Sequence, residues 1–232
     1  MYCEMAPHQR KIYNEVRDYY RLKLLRHIDS KGMNKSKIVV LEGLLRLRQT
    51  ACHPALIKPQ TRVKSAKLNE LMNMVYEVME EGHKALIFSQ FTTMLAIIEK
   101  EVKKQGISYA YLDGSTRNRK EVVKKFQENT SCRLFLISLK AGGLGLNLTA
   151  ASYVFIFDPW WNPAVEMQAV DRAHRIGQEQ KVTAYRLITR DSVEEKIMEL
   201  QKRKKELAGS IISSEGSLIK KISRKDIEYL FG

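Results

Sequence analysis

Leu134-Phe135-Leu136-Ile137 runs straight into Ser138-Leu139-Lys140-Ala141-Gly142-Gly143-Leu144-Gly145, so a short, wholly apolar run ends in a cluster of glycines. A run that is apolar at every position fits a strand buried on both faces of a parallel sheet. Working outward, Ala85-Leu86-Ile87-Phe88 and Tyr109-Ala110-Tyr111-Leu112 precede it. Tyr153-Val154-Phe155-Ile156-Phe157 and Val182-Thr183-Ala184-Tyr185-Arg186-Leu187-Ile188 follow. Between these runs, apolar residues recur at helical spacing around 94–103, 119–127 and 164–173. Strands and helices alternating in this order predict an α/β fold, a doubly wound parallel sheet with helices on both faces.

The flanks are helical. From His8 to about His53, Ile12, Val16, Tyr19 and Tyr20 share one face and Val40, Leu41, Leu44, Leu45 and Leu47 another, with a turn expected near Ser30-Lys31-Gly32. Pro54 and Pro59 end the pattern. At the other side, Asp191-Ser192 reads as an N-cap for a helix carrying Val193, Ile197, Leu200 and Leu207, expected to end near Gly209. A short helix from Lys225 to Phe231 follows. The expected division is a helical segment over 1–63, the α/β lobe over 64–190 and a closing helix with its tail over 191–232.

Forty Lys+Arg against 26 Asp+Glu leave a net charge of +14, which favours a polyanionic partner because each neutralised phosphate releases condensed counterions. Hydrophobic residues at 44% and charged residues at 28% exclude a largely disordered chain. Cys3, Cys52 and Cys132 show no CxxC spacing, so neither a disulfide framework nor a thiolate metal site is indicated. No apolar run approaches the roughly 18 residues of a membrane span, and the N-terminus lacks the layout of a signal peptide. The expectation is an intracellular, soluble protein.

In an open parallel sheet, ligands collect at the carboxyl ends of the strands. Ser89-Gln90-Phe91 stands at one such end, where capping and loop packing explain it as well as function does. Asp113-Gly114-Ser115-Thr116, with Arg117, Arg119 and Lys120 after it, combines a tight turn, hydroxyls, a helix N-terminus and cations, which suits a phosphate. An ordinary Asp-Gly turn with Thr116 as N-cap is the plain alternative. Around Gly142 and Gly143 the glycines let backbone N–H groups approach a ligand, with Lys140 as a point charge, yet no G-K-[ST] occurs and the loop is not a Walker A.

The richest segment is Asp158-Pro159-Trp160-Trp161-Asn162-Pro163, then Gln168 to Gln178. Asn162 suits an N-cap before Pro163 at the first helical position. Arg172 and Arg175 are three residues apart and face one way on a helix or at its end, where paired guanidiniums clamp a phosphate. Ion pairing with Glu166 or Asp171 is the plain alternative. The tryptophans are expected to be core or docking residues and His174 structural, with no metal site.

Taken together, LIFSQF, LDGST, SLKAGGLGLNLTAA, DPWWNP and QAVDRAHRIGQ resemble, in order, motifs IV to VI of the Swi/Snf-type branch of superfamily-2 helicases. LLRLRQTACHPALI and SVEEKIMELQKRKKEL resemble the family's helical lead-in and its closing brace helix. The resemblance implies a RecA-like C-terminal lobe of an ATP-driven motor on double-stranded DNA that remodels or displaces DNA-bound proteins. Arg172 and Arg175 resemble its arginine fingers, with Gln168 organising the site, and Gly142, Gly143 and Asp171 couple it to the nucleotide. Ser89, Gln90, Asp113, Gly114, Ser115, Thr116, Arg119, Ser138 and Lys140 match positions on the DNA backbone face. ATP and Mg2+ are then bound mainly by a first lobe, expected in the same polypeptide, because neither a Walker A loop nor D-E-x-[HD] occurs here. Arg190-Asp191-Ser192 and Gln49-Thr50-Ala51-Cys52-His53 depart slightly from the family pattern, away from this chemistry. Without its first lobe the chain is expected to be inactive. The rival readings are a non-catalytic DNA-binding or protein-docking module and a strand-separating or RNA-dependent relative. A DNA-associated location follows, with a lean toward a prokaryotic cytoplasm or nucleoid over a nucleus.

Overall fold

The computed structural model describes residues 1–139, 141, 145–160, 163–175, 178, 180–208 and 222–232, with backbone only for 204–208. In chain order come β1 (Tyr2–Cys3), α1 (Pro7–Cys52), a 3-10 turn (Pro54–Leu56), α2 (Ala66–Glu80), β2 (Ala85–Ser89), α3 (Thr92–Lys104) and β3 (Tyr109–Leu112). Then follow α4 (Arg119–Glu128), β4 (Leu134–Ser138), β5 (Tyr153–Ile156), α5 (Pro163–Val170), β6 (Thr183–Arg186), β7 (Ile188–Thr189), α6 (Val193–Ala208) and, next among the described residues, α7 (Arg224–Phe231). The chain forms two compact units, Leu68–Leu187 with Met1, and Tyr2–Lys67 with Ile188–Gly232. The helical segments on either side of the lobe therefore belong to one unit.

In the first unit the sheet runs β3-β4-β2-β5-β6, and every neighbouring pair is parallel. Side chains alternate along each strand. Leu86, Phe88, Phe135, Ile137, Val154 and Ile156 join Phe126 of α4 and Ala169 of α5 in one core, while Ile87, Leu136 and Phe155 are equally buried on the other face. This is the RecA-like α/β fold that the apolar runs imply. Helix α2, which is not among the expected elements, buries Leu68, Leu71, Met72, Val75 and Val78 at helical spacing.

Two boundaries differ from expectation. The run 182–188 is divided: β6 stays in the sheet, the Leu187 N–H still reaches the Ile156 carbonyl at 3.0 Å, and Ile188–Thr189 turn away to pair with β1. Helix α5 ends at Val170 instead of reaching Ala173. Its last bonds shorten in sequence, Arg172 N–H to Ala169 O at 3.4 Å and Ala173 N–H to Val170 O at 3.0 Å, so the chain tightens into a turn carrying both arginines.

In the second unit α1 breaks at Gly32, whose φ of 76° is open to glycine, close to the expected turn. The two arms lie antiparallel: Tyr20 donates to Glu42 at 2.8 Å and His27 Nδ1 lies 3.0 Å from Ser36 Oγ. Gly43 admits the Phe231 ring so closely that a Cβ there would sit 2.8 Å from it. Ser192 caps α6, its Oγ accepting the Glu194 N–H at 3.2 Å, and Ser223 with Asp226 forms a capping box at α7. The expected end of α6 at Gly209 lies outside the described residues. Lys67 and Glu194 form an ion pair with no side-chain exposure at 2.5 Å. Among the described residues, no helix is long and apolar enough to cross a membrane.

Candidate functional site

The carboxyl ends of the strands are tied together by backbone first. Leu139 N–H donates to Ser89 O at 3.0 Å and Phe157 N–H to Phe88 O at 2.9 Å, extending the ladders past β4 and β5. Asp158, fully buried, then fastens two loops: the Ser89 hydroxyl donates to its Oδ1 and the Gln90 N–H to its Oδ2 at 3.1 Å. Ser89 Oγ also accepts the Phe91 N–H at 3.1 Å. Ser89 and Ser138 pair across β2 and β4 and are 0% and 3% exposed, so their side chains face the interior of this end of the sheet. The Gln90 Nε2 is buried and has no hydrogen-bond partner among the described residues.

The turn after β3 organises itself around one carboxylate. Asp113 Oδ1 accepts the Ser115 N–H at 2.9 Å, the Ser115 hydroxyl at 2.7 Å and the Thr116 hydroxyl at 3.3 Å. These bonds, the Ser115 hydroxyl foremost, hold the Asp113 carboxyl below its usual range, with burial opposing them. Arg119 closes the turn by donating to Thr116 O at 3.2 Å and Gly114 O at 3.3 Å. Thr116 is not the helix cap, since α4 starts at Arg119 behind Asn118. Gly114, Ser115, Arg117 and Lys120 are exposed. Burial, then the Asp113 charge, pushes the Tyr111 hydroxyl up to about 12.

The arginine turn is laced to the loop after β4. Leu148 N–H donates to Arg172 O at 2.9 Å, Arg175 Nη1 to Gly145 O at 3.3 Å, and Gln178 Nε2 to Thr149 O at 2.9 Å, Ala151 O at 2.8 Å and Ala173 O at 3.2 Å. The two arginines are not equivalent. Arg175 is exposed, whereas Arg172 is 6% exposed and its buried Nη1 has no hydrogen-bond partner among the described residues. Burial lowers the proton affinity of Arg172 and the Arg175 charge lowers it further, with Asp171 opposing. Neither plain alternative for Arg172 is realised: no ion pair joins it to Asp171 or Glu166 among the described residues, and Glu166 instead holds Arg186 and the Trp160 N–H. Gln168, Asp171 and His174 are exposed around the turn, and Trp160 packs on the core.

Lys140, Gly142, Gly143, Trp161 and Asn162 lie outside the described residues. Asp158, Gln178, Gln127 and Glu166 were not among the expected site residues. Asp158 had a signal, an acid placed directly after an apolar strand; the glutamines had none, because Gln127 meets the Thr149 hydroxyl and the Ala150 N–H and Gln178 meets main-chain carbonyls, most of them distant in sequence.

The fold and the motif order define a helicase-type C-terminal lobe, and the family described as "Helicase conserved C-terminal domain" matches residues 66–177. The Sulfolobus solfataricus SWI2/SNF2 ATPase C-terminal domain superposes with a TM-score of 0.81 at 34% identity, covering 99% of this chain and 95% of that one. The SWI2/SNF2 ATPase core of the same organism in complex with dsDNA gives a TM-score of 0.84 at 35% identity, covering 99% and 48%. An uncharacterized ATP-dependent helicase of Mycoplasma pneumoniae is 35% identical over 233 residues, 100% of this chain and 22% of that protein. DNA repair protein rad8 of Schizosaccharomyces pombe is 44% identical over 174 residues, 73% of this chain and 15% of that protein. The chain belongs to the SWI2/SNF2-type helicase-like ATPases and corresponds to their C-terminal lobe. It spans less than a quarter of the length of these curated relatives.

Proposed function

We propose that this lobe works in an ATP-dependent double-stranded DNA translocase, giving Arg172 and Arg175 to an ATP site held mainly by a first lobe. The observation that carries this reading is the buried Arg172 Nη1, which has no hydrogen-bond partner among the described residues, an arrangement that is costly unless an anion completes it. A phosphate oxygen is a suitable acceptor for this guanidinium in chemistry and charge. ATP supplies the phosphoryl group on which negative charge develops during hydrolysis. The turn holds the Arg172 main chain through its own carbonyl, bound to Leu148 N–H, so the backbone that carries the guanidinium is fixed before that charge appears. Arg175 is the second cation, Gln168 and Asp171 are assigned to the same site, and Gly142 and Gly143 are assigned nucleotide coupling from the family resemblance alone. Mg2+ is assigned to the first lobe together with the nucleotide, since neither a Walker A loop nor D-E-x-[HD] occurs in this sequence.

The duplex backbone is met by the exposed Gly114 and Ser115, by Thr116 and Arg119 of the same turn, and by Lys140. Asp113, Ser89, Gln90 and Ser138 shape that face from within. The net charge of +14 and the dsDNA complex of the related Sulfolobus core support this partner. Displacement of DNA-bound protein is the work such translocation performs, and the lobe alone turns over no ATP.

Arg172→Ala in the complete enzyme tests the reading. DNA-stimulated turnover is expected to fall on the order of 10³-fold or more, whereas loss of a surface ion pair would change it little. Arg172→Lys should restore little, lacking the planar fork. Near-normal turnover in both variants would overturn the assignment.

A further inference from the structure

A chain of contacts runs from helix α4 to the arginine turn. Gln127, near the end of α4, donates through Nε2 to Thr149 Oγ1 at 3.3 Å and accepts the Ala150 N–H on Oε1 at 2.9 Å. Gln178 takes the same segment from the other side, through Thr149 O and Ala151 O, and also holds Ala173 O, between the two arginines. Its orientation is fixed at the far end, where Oε1 accepts the Gln180 N–H at 2.8 Å, and its own N–H donates to Arg175 O at 2.9 Å. Arg119 and Lys120 stand at the opposite end of α4. An α-helix of this length moves as a rod, so a displacement of its N-terminus reaches Gln127 undiminished.

We propose that Gln127 and Gln178 form a bridge across Thr149–Ala151 that links duplex contact on α4 to the placement of Arg172 and Arg175, making both glutamines positioning residues for DNA-stimulated hydrolysis. This rests on the functional reading above. Two features favour glutamine here. A primary amide donates and accepts at once, and its reach allows it to grip main-chain atoms of another loop. Because most of the gripped groups are backbone, side-chain changes within 149–151 leave most of the bridge in place.

The test is a double-mutant cycle in the complete enzyme, reading the ratio of duplex-stimulated to basal turnover for Gln127→Ala, Gln178→Ala and the pair. Each single change is expected to lower the ratio about tenfold, within the usual range of coupling between sites. The pair should be no worse than the worse single, because two members of one bridge fail together. Gln178→Lys, which keeps N–H donors for the carbonyls but loses the acceptor of the Gln180 N–H, should hold more of the ratio than Gln178→Ala, and Thr149→Val, which removes only the Gln127 acceptor, should lower it slightly. If the alanine variants are too unstable to assay, these two decide the matter. Basal and stimulated rates falling in parallel, multiplicative losses in the pair, or equal failure of Gln178→Lys would reduce the glutamines to structural ties. Retained turnover in Arg172→Ala, with the ratio still lost in the glutamine variants, would remove the finger reading and keep the bridge. Absence of duplex stimulation in the unsubstituted enzyme removes both.

Discussion

Lys67 and Arg172 are both cations withdrawn from water, 1% and 6% exposed, yet their surroundings are opposites. Lys67 meets Glu194 at 2.5 Å, and the same carboxylate accepts the Thr189 N–H at 2.9 Å and the Cys52 thiol at 3.6 Å. Arg172 lies beside a second arginine, with a nitrogen that nothing described satisfies. A completed network of this kind holds a fold together, and an incomplete one is ready for a ligand. Burial alone therefore does not separate the two cations; the state of their partners does.

Stability measurements separate the two most widely. Lys67→Met leaves Glu194 buried without its counter-charge and should cost about 3–5 kcal/mol in urea unfolding. Arg172→Met keeps an apolar stem and removes an unpaired charge, so the change is expected to stay within about 1 kcal/mol of zero or to be stabilising. Equal losses at both positions would erase the contrast and place Arg172 in the structural class. A smaller effect sharpens the same point: adding Glu194→Leu to Lys67→Met should recover most of the loss, since a buried pair replaced whole by apolar groups is often neutral. Failure to recover would mean that the Thr189 and Cys52 bonds to Glu194, not the ion pair, are what the fold needs.

The strands were legible because each is a separate apolar run, and the Gly32 break because a glycine interrupts a helical pattern. Helix α2 was harder to see, having no motif at either end. The division of 182–188 left no trace, since Leu187 and Ile188 are apolar and buried whether or not the strand continues. At the proposed site, residue types and spacing pointed to both arginines but could not tell the buried one from the exposed one. A helix persisting through Ala173 would have presented them alike, and the tightened turn after Val170 makes them different. The direction of Ser89 was hidden for a related reason: a polar residue at a strand end is equally compatible with solvent and with a buried acid such as Asp158.

The smallest expected effect concerns the turn after β3, where the partners are complete but solvent is near. Asp113 gathers the Ser115 N–H and the Ser115 and Thr116 hydroxyls, and these bonds hold its carboxyl below the ordinary range. A carboxyl lowered in the folded state stabilises fully above its unfolded value, about 3.9 for aspartate, and the contribution disappears as the pH falls through the lowered folded value. Asp113→Asn keeps the shape and one acceptor oxygen but not the charge. It should therefore cost roughly 1 kcal/mol or less at neutral pH, the exposure of the turn having weakened every bond in it. Urea unfolding of both proteins from pH 7 down to pH 2 should show two stability curves that run parallel at first and converge in acid. A gap that persists at the acid end would mean that the turn depends on the shape of the side chain and not on its charge. The contrast with Arg172 would then rest on exposure alone.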